Sequence, residues 1–468
     1  MSERLPVVEE PASSLHADGS RNYVHPADVY GRYTTTRNVV FAILIMIYVA
    51  LPFVKIGGRP AVFLDIVNRR FYLFGGVFNA QDFWLVFFIL SGIGLALLIV
   101  TAVKGRVWCG YACPHTVFLE GVFRRIERWI EGPRADRLRR NAAAFSLDKL
   151  WRKGTKHGIY VLVALLLSHV FISYFVSLPS LFDMVRRNPA EHPTAFAWVM
   201  IMSAVLYFNF SWFREQLCLI ICPYGRLQST MTDRDTVVIG YDAHRGEPRG
   251  KKSDPQTGDC IDCKRCVVVC PTGIDIRNGL QMECVGCAAC VDACDDIMDK
   301  VGSPRGLVRY DSLNGLGGRP KHRARPRLYF YGGIAALWLV GTVLAFAQSS
   351  TFEANLLRQG EAPFAVVDGK IRNSLQIHLV NKSGEAQTFL VAPADDERDE
   401  PGGVAYVVPR TSLELDSLAG TYLPVLAILP LDEMSPGRMV RLRISIEGGE
   451  GDKSTRIVEA RFLGPARR

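Results

Sequence analysis

The sequence predicts a membrane α-helical protein of five spans, with an α+β domain on one side of the bilayer and an all-β sandwich on the other. Three observations lead there. Five apolar runs are each long enough to cross a hydrocarbon core, which takes about 17–25 residues. All twelve cysteines lie outside those runs, eight of them inside one loop-rich, basic stretch. From Gln348 onward there is no cysteine, and short alternating runs are separated by turn residues.

The apolar runs are 38–54, 83–103, 158–178, 195–213 and 328–347, and His169 is the one ionisable residue inside them. A buried helix of a soluble protein could imitate one such run, but hardly five. No signal-peptide pattern precedes the first, so it reads as an uncleaved anchor. Basic residues set the orientation. The connection 104–157 carries thirteen Lys and Arg against five acidic residues, whereas 55–82 and 179–194 carry four and two basic residues. The positive-inside rule places 104–157 in the cytoplasm together with 1–37 and 214–327, and places 348–468 across the membrane. The net charge of +9 then resides mostly in that loop and implies no nucleic acid. The lipid bilayer is the partner it implies. A basic amphipathic stretch, 116–130, is expected to lie along anionic headgroups.

The expected organisation is a cytoplasmic N-terminal segment (1–37), four spans with the basic loop (38–231), a cysteine-rich cytoplasmic domain (232–327), a fifth span (328–347) and an exterior domain (348–468). In that last part, 375–380, 404–408, 440–446 and 457–462 read as strands. Turns at 381–384, 401–403 and 447–449 separate them. The pattern fits a β-sandwich, with a barrel as the alternative.

A weak repeat links the first two hairpins. Trp108-Cys109-Gly110-Tyr111-Ala112-Cys113-Pro114 follows the second span, and Leu217-Cys218-Leu219-Ile220-Ile221-Cys222-Pro223 follows the fourth. Each hairpin thus closes with C-x3-C-P.

The strongest signal is Cys260-Ile-Asp-Cys263-Lys-Arg-Cys266-Val-Val-Val-Cys270-Pro271, repeated as Cys284-Val-Gly-Cys287-Ala-Ala-Cys290-Val-Asp-Ala-Cys294. Cytosolic cysteines at motif spacing indicate metal or redox chemistry rather than disulfides. C-x2-C-x2-C-x3-C holds [4Fe–4S] clusters, the fourth cysteine of each run serving the other cluster. Cys260, Cys263, Cys266 and Cys294 are therefore assigned to one cubane, and Cys270, Cys284, Cys287 and Cys290 to the second. Zinc also uses C-x2-C pairs, but has no use for the third and fourth cysteines. Lys264 stands where many ferredoxins have Gly, and Asp295 replaces the second proline; neither removes a ligand. The domain reads as dicluster ferredoxin-like.

Cys109, Cys113, Cys218 and Cys222 admit several readings. They could be small buried hydrophobes. If the hairpins pack side by side, the four could converge on Cu(I), zinc or iron, which soft thiolates select, or cycle as a dithiol and disulfide. His115 is a weak candidate for a further ligand. His169 suits a hydrogen-bonded packing role better than haem ligation, which needs a second histidine.

These motifs resemble the CcoG/FixG/RdxA family, accessory proteins of cbb3-type cytochrome c oxidase. The resemblance runs over 21–309. Besides the cysteine motifs, it rests on Gly31-Arg32-Tyr33, Phe63-Leu64-Asp65-Ile66, Gly105-Arg106-Val107, Arg214-Glu215-Gln216, Tyr224-Gly225-Arg226 and Arg245-Gly246-Glu247-Pro248-Arg249. His115 departs from the Gln expected there. The family implies an immunoglobulin-like exterior sandwich in the periplasm of a bacterial inner-membrane protein, and a cupric reductase converting Cu(II) to Cu(I). It implies copper chaperones and oxidase assembly factors as partners. Cys109, Cys113, Cys218 and Cys222 carry over as catalytic or copper-binding candidates, and the other eight cysteines as cluster ligands. Two rival readings stand beside it. One is a relay from quinol or a cytoplasmic donor to a periplasmic respiratory enzyme, disfavoured by the absence of a covalent-flavin domain and by the exterior sandwich. The other is a non-redox assembly scaffold. The electron donor is open, as is a homodimer.

Overall fold

A computed structural model describes residues 23–67, 70–79, 83–320, 325–347, 351–360, 362–383, 385–394, 404–417, 419–435, 437–448 and 454–465. Five helices are long and apolar enough to cross a membrane: Arg32–Phe53, Leu85–Lys104, Leu147–Ile172, Pro193–Phe213 and Pro326–Phe346. The first starts six residues before the apolar run and the third eleven residues before it (32 against 38, 147 against 158). The third also stops at Ile172, short of the expected 178. The reason lies in the caps. Ser146 accepts a hydrogen bond from the Lys149 amide (3.2 Å) and starts a helix whose first turns are basic. Pro179 then falls in the first turn of a separate helix, Leu178–Arg186, where proline fits best.

Contacts tie the spans together. Ser203 donates to Ser168 (2.9 Å) between the fourth and third spans. Tyr48 donates to the Leu167 carbonyl (3.1 Å), and Trp338 Nε1 to Ser91 (3.0 Å). His169 uses Nδ1 to donate to the Leu165 carbonyl one turn back (2.8 Å), the packing role expected of it.

The amphipathic stretch behaves differently from its expectation. Residues 114–131 form consecutive helical turns with a π-helical segment at Leu119–Phe123. Leu119 and Phe123 pack with Tyr160, Leu167 and Phe210 of the third and fourth spans, joined by Phe118, Val122 and Ile126. The apolar face is thus consumed by protein, not by headgroups; of that face only Trp129 is fully exposed.

The cysteine-rich segment is framed by an antiparallel pair, Val238–Tyr241 with Val308–Asp311, and by the helix Ala289–Val301. It is fastened to the first span by Asp292, which accepts from the Tyr33 and Thr34 amides (3.2 and 2.7 Å) and from the Thr34 hydroxyl (2.7 Å). A carboxylate at a helix N-terminus meets unpaired amides and the positive end of the dipole. Gly31 is required there, because a Cβ would fall 2.3 Å from Asp292 Cγ.

The C-terminal unit is a sandwich of two antiparallel sheets. One runs Ala405–Val407, Gly420–Pro430, Lys370–Asn381, Phe352–Arg358, with Ala365–Val367 also on Lys370–Asn381. The other runs Ser412–Leu415, Gln387–Pro393, Met439–Ile446, Thr455–Arg461. Alternate inward residues such as Ile371, Leu375, Ile377, Leu429, Val440, Leu442 and Ile444 close the core, as a period-2 pattern requires. A sandwich, not a barrel, is therefore the architecture. The expected turn at 401–403 lies outside the described residues.

Candidate metal centres

Each cysteine run folds around a pair of left-handed residues. Asp262 and Lys264 flank Cys263 with φ of 53° and 54°; Gly286 and Ala288 flank Cys287 with 68° and 59°. The two runs are thus the same structure written twice, and Lys264 occupies the conformation that favours glycine. Such turns make concavities of backbone N–H groups that suit the anionic sulfurs of iron–sulfur sites.

Two cavities result. One is lined by Cys260, Cys263, Cys266 and Cys294, with Ile297, Met298 and Leu307 among its apolar walls. The other is lined by Cys270, Cys284, Cys287 and Cys290, by Cys266 as well, and by Ile239, Ile274 and Ile276. The structure thus brings Cys294 to Cys260 and Cys263, and Cys270 to Cys284, Cys287 and Cys290, while Cys266 lines both cavities. Burial pushes the thiols of Cys266, Cys284 and Cys294 up to about 12, so metal binding must displace their protons. Among the described residues no three His, Cys, Asp or Glu side chains close on a single-ion site. A cubane asks for something else, one thiolate at each of four separated corners, and two cavities lined by four and by five cysteines fit it, the first with Lys264, Arg265 and Arg277 also in its lining.

The C-x3-C-P segments are built alike, though not as the continuous helix that an i, i+4 face would need. Cys113 and Cys222 are both extended (ψ 124° and 110°) directly before the proline that opens a new helix. In both, the second cysteine's amide bonds five residues back, Cys113 to the Trp108 carbonyl (2.9 Å) and Cys222 to the Leu217 carbonyl (2.8 Å). Cys218 is the thiol on which the other three act. Burial raises its pKa to about 12, Cys113, Cys109 and Cys222 add to that, and Arg106 opposes it. The four thiols therefore share one locality.

That locality abuts the second cavity. A Cβ on Gly110 would sit 2.7 Å from the Gly286 carbonyl oxygen and 3.0 Å from Cys287 Cα, so only glycine lets the two backbones meet. Cys109 packs against the apolar cluster that contains Cys287, Val285 and Ala289. The Arg106 charge acts on both Cys218 and Cys284 and its side chain donates to the Gly225 carbonyl.

His115 is placed differently. Nε2 donates to the Arg214 carbonyl (2.9 Å), Nδ1 accepts from the Asn209 amide (3.2 Å), and the ring stacks on Phe210. Burial lowers its pKa to about 4. Both nitrogens are engaged, so ligation by His115 would require breaking one of these bonds.

Sequence reasoning missed the charged frame that holds the halves together. Arg124, 1% exposed, pairs with Glu120, reaches Glu215 (3.0 Å) and donates to the Pro271 carbonyl (3.1 Å) beside Cys270. Glu127 pairs with Arg214. Burial works against its charge, but Arg214, Lys156 and Arg137 hold its pKa down to about 2. These residues looked like a solvated basic loop; the signal available was the placement of glutamates among the arginines.

Five membrane helices, a two-cavity cysteine domain and an antiparallel sandwich define a membrane-bound iron–sulfur electron-transfer protein. Comparison agrees. A family model of a 4Fe–4S dicluster domain matches residues 213–313, a 4Fe–4S binding domain matches 83–133, and the IG-like fold at the C-terminal of FixG matches 342–465. Protein RdxA of Cereibacter sphaeroides is 37% identical over 80% of this chain and 82% of its own. Nitrogen fixation protein FixG of Rhizobium meliloti is 34% identical over 79% and 78%, and Protein RdxB of Cereibacter sphaeroides 35% over 81% and 83%. The chain belongs to the FixG/RdxA family.

Proposed function

We propose that this electron-transfer protein reduces Cu(II) to Cu(I) and so supplies Cu(I) for assembling the copper centre of a cbb3-type cytochrome c oxidase. The observation that carries the reading is that Cys109, Cys113 and Cys222 all act electrostatically on Cys218 while Cys109 and Gly110 lie against the Cys284–Cys287 loop; as placed, the four thiols have not closed on a single ion. When bound, the two [4Fe–4S] clusters supply one-electron chemistry, the step size of Cu²⁺ + e⁻ → Cu⁺. The residues do the rest. Cys260, Cys263, Cys266 and Cys294 hold one cluster, and Cys270, Cys284, Cys287 and Cys290 the other. Cys109, Cys113, Cys218 and Cys222 receive copper, the substrate, and as soft donors favour its reduced state. Gly110 keeps that site in backbone contact with the second cluster's loop.

The test is anaerobic: dithionite-reduced, desalted protein is mixed with Cu(II) and a Cu(I)-selective dye. Dye–Cu(I) formation of about two equivalents per protein supports the proposal, and none rejects it. A second reading gives the four thiols to iron; the match of residues 83–133 to a 4Fe–4S binding domain, in a stretch whose cysteines are Cys109 and Cys113, favours it. Iron analysis separates the two, at about eight irons against about twelve.

The same reading puts residues 1–37 and the clusters in the cytoplasm and the sandwich in the periplasm, on the strength of the basic 104–157 connection. A periplasm-active reporter fused after Gln348 should work and one near Asp254 should not. Activity at Asp254 would invert the arrangement.

A further inference from the structure

A cavity of about 480 Å³ lies between the start of the first span, the charged helix Arg124–Glu131 and the cysteine domain. Val269, Pro271 and Ala289 line it, each adjacent in sequence to Cys270 or Cys290. Three arginines also line it, Arg37, Arg125 and Arg128, against two carboxylates, Asp28 and Glu120. Both carboxylates are already paired, Asp28 with Arg128, and Glu120 with Arg124, which is not among the lining residues. Arg37 and Arg125 have no carboxylate ion pair among the described residues. Arg37 is only 7% exposed, yet its Nε and Nη1 lack any acceptor. The Glu120 charge acts on Arg37, but buried guanidinium donors left without an acceptor are still unfavourable, and unmet guanidinium donors at a membrane surface match the geometry of phosphate oxygens.

We propose that this cavity binds a phosphate-type oxyanion, held by Arg37 and Arg125 beside the second cluster. The phosphate comes either from a lipid headgroup or from a free anion; the chemistry recognised is the same. Arg37 is also electrostatically coupled to Cys287, so the same guanidinium feels both the oxyanion and a ligand of the second cluster. A bound negative charge there opposes the arrival of an electron, so the oxyanion binds the oxidised protein more tightly than the reduced. The proposal rests on the ligand assignment above, which iron analysis tests separately.

The experiment uses full-length, cluster-loaded, delipidated protein. The midpoint potential of the second cluster is followed by paramagnetic resonance as inorganic phosphate replaces chloride at constant ionic strength. A saturable fall is expected, approaching about 59 mV for an about tenfold preference for the oxidised state. Arg125→Gln, at an exposed position, should raise the half-saturating phosphate about tenfold at unchanged iron content, and Arg37→Lys should lie between it and the parent. Nanodiscs separate the sources. If a lipid supplies the phosphate, phosphatidylglycerol lowers the midpoint relative to phosphatidylcholine and abolishes the response to added phosphate. If a free anion does, the two lipids give equal midpoints and phosphate still titrates. Equal effects of phosphate and chloride together with equal midpoints in the two lipids would overturn the proposal, as would parental behaviour of Arg125→Gln. Should the parent lack about eight irons, the cluster reading falls on its own. Phosphate binding is then read as thermal stabilisation of the parent that Arg125→Gln loses, and its absence sinks the site.

Discussion

The two cysteine regions of this protein reach similar thiol groupings by opposite routes. Eight cysteines gather from one stretch, 260–294, where spacing and two left-handed residues shape each run locally. The other four come from Cys109–Cys113 and Cys218–Cys222, more than 100 positions apart. Buried ion pairs fasten one segment to the other, Arg124 to Glu215 and Glu127 to Arg214, helped by the Arg106 and His115 bonds and the stacking of Phe123 on Phe210. A locally coded site is robust to distant change. One assembled at long range is only as well placed as the frame around it.

The largest effect expected breaks the comparison by function. Replacing Cys109, Cys113, Cys218 and Cys222 together by alanine should abolish Cu(I) formation while iron content and cluster reducibility stay parental. Reduction of Cu(II) at the parental rate by that variant would make the thiols packing groups and give copper another meeting place. Next in size, Cys270→Ser should remove the second cluster although it belongs to the first run, and Cys266→Ser the first. Iron should fall by about half in each, with the remaining cluster spectrum unchanged. The two effects exchanged would refute the crossed ligation.

The same contrast explains what could be read in advance. The five spans, the paired runs and the sandwich follow from hydropathy, spacing and period-2 alternation, all of them local quantities. Lys264 taking a glycine conformation did not disturb the reading, because the neighbouring cysteines fix the turn. The stretch 116–130 misled for the converse reason. Its apolar face is real, but sequence does not say whether Phe123 meets lipid or Phe210, and the rings stack at 4.5 Å. Likewise Arg124 and Glu215 are unremarkable residues 91 positions apart until the fold pairs them.

A third test bears on that frame. Arg124→Met strands two buried carboxylates, Glu120 and Glu215, and should cost about 3–5 kcal/mol. The thermal midpoint in detergent should drop clearly, and Cu(I) formation should suffer more than iron content does. A variant as stable as the parent would show that the frame is incidental. Loss of iron ahead of loss of copper reduction would show that Arg124 serves the clusters, through the Pro271 carbonyl, rather than the thiols.

The smallest effect expected is a pH dependence at the far edge of the same frame. His25 is buried, and Asn141 donates to its Nε2 (3.1 Å), which leaves the hydrogen on Nδ1, 3.6 Å from Glu127. Burial lowers its pKa from 6.5 to about 4; Glu127 raises it, while Arg137 and Arg214 lower it further. At neutral pH the contact with Glu127 is therefore not an ion pair. The unfolded chain takes up this proton near 6.5 and the folded one only near 4, so the unfolded state binds more protons between those values. Stability must rise with pH across that window and fall as the solution is acidified through it, by about 2 kcal/mol from about pH 7 to about pH 5. Glu127, held down to about 2 in the folded protein, stays ionised there, but its unfolded value of 4.5 adds a smaller slope of the same sign at the acid end of the window, which parent and variant share. Thermal midpoints of the parent and His25→Asn, measured side by side over this range, isolate the histidine from any acid lability of the clusters, which both share. The parent should lose the additional stability and the variant should not. Parallel curves would mean that His25 keeps its ordinary pKa, with its ring open to water rather than enclosed by the arginines and glutamates of the frame.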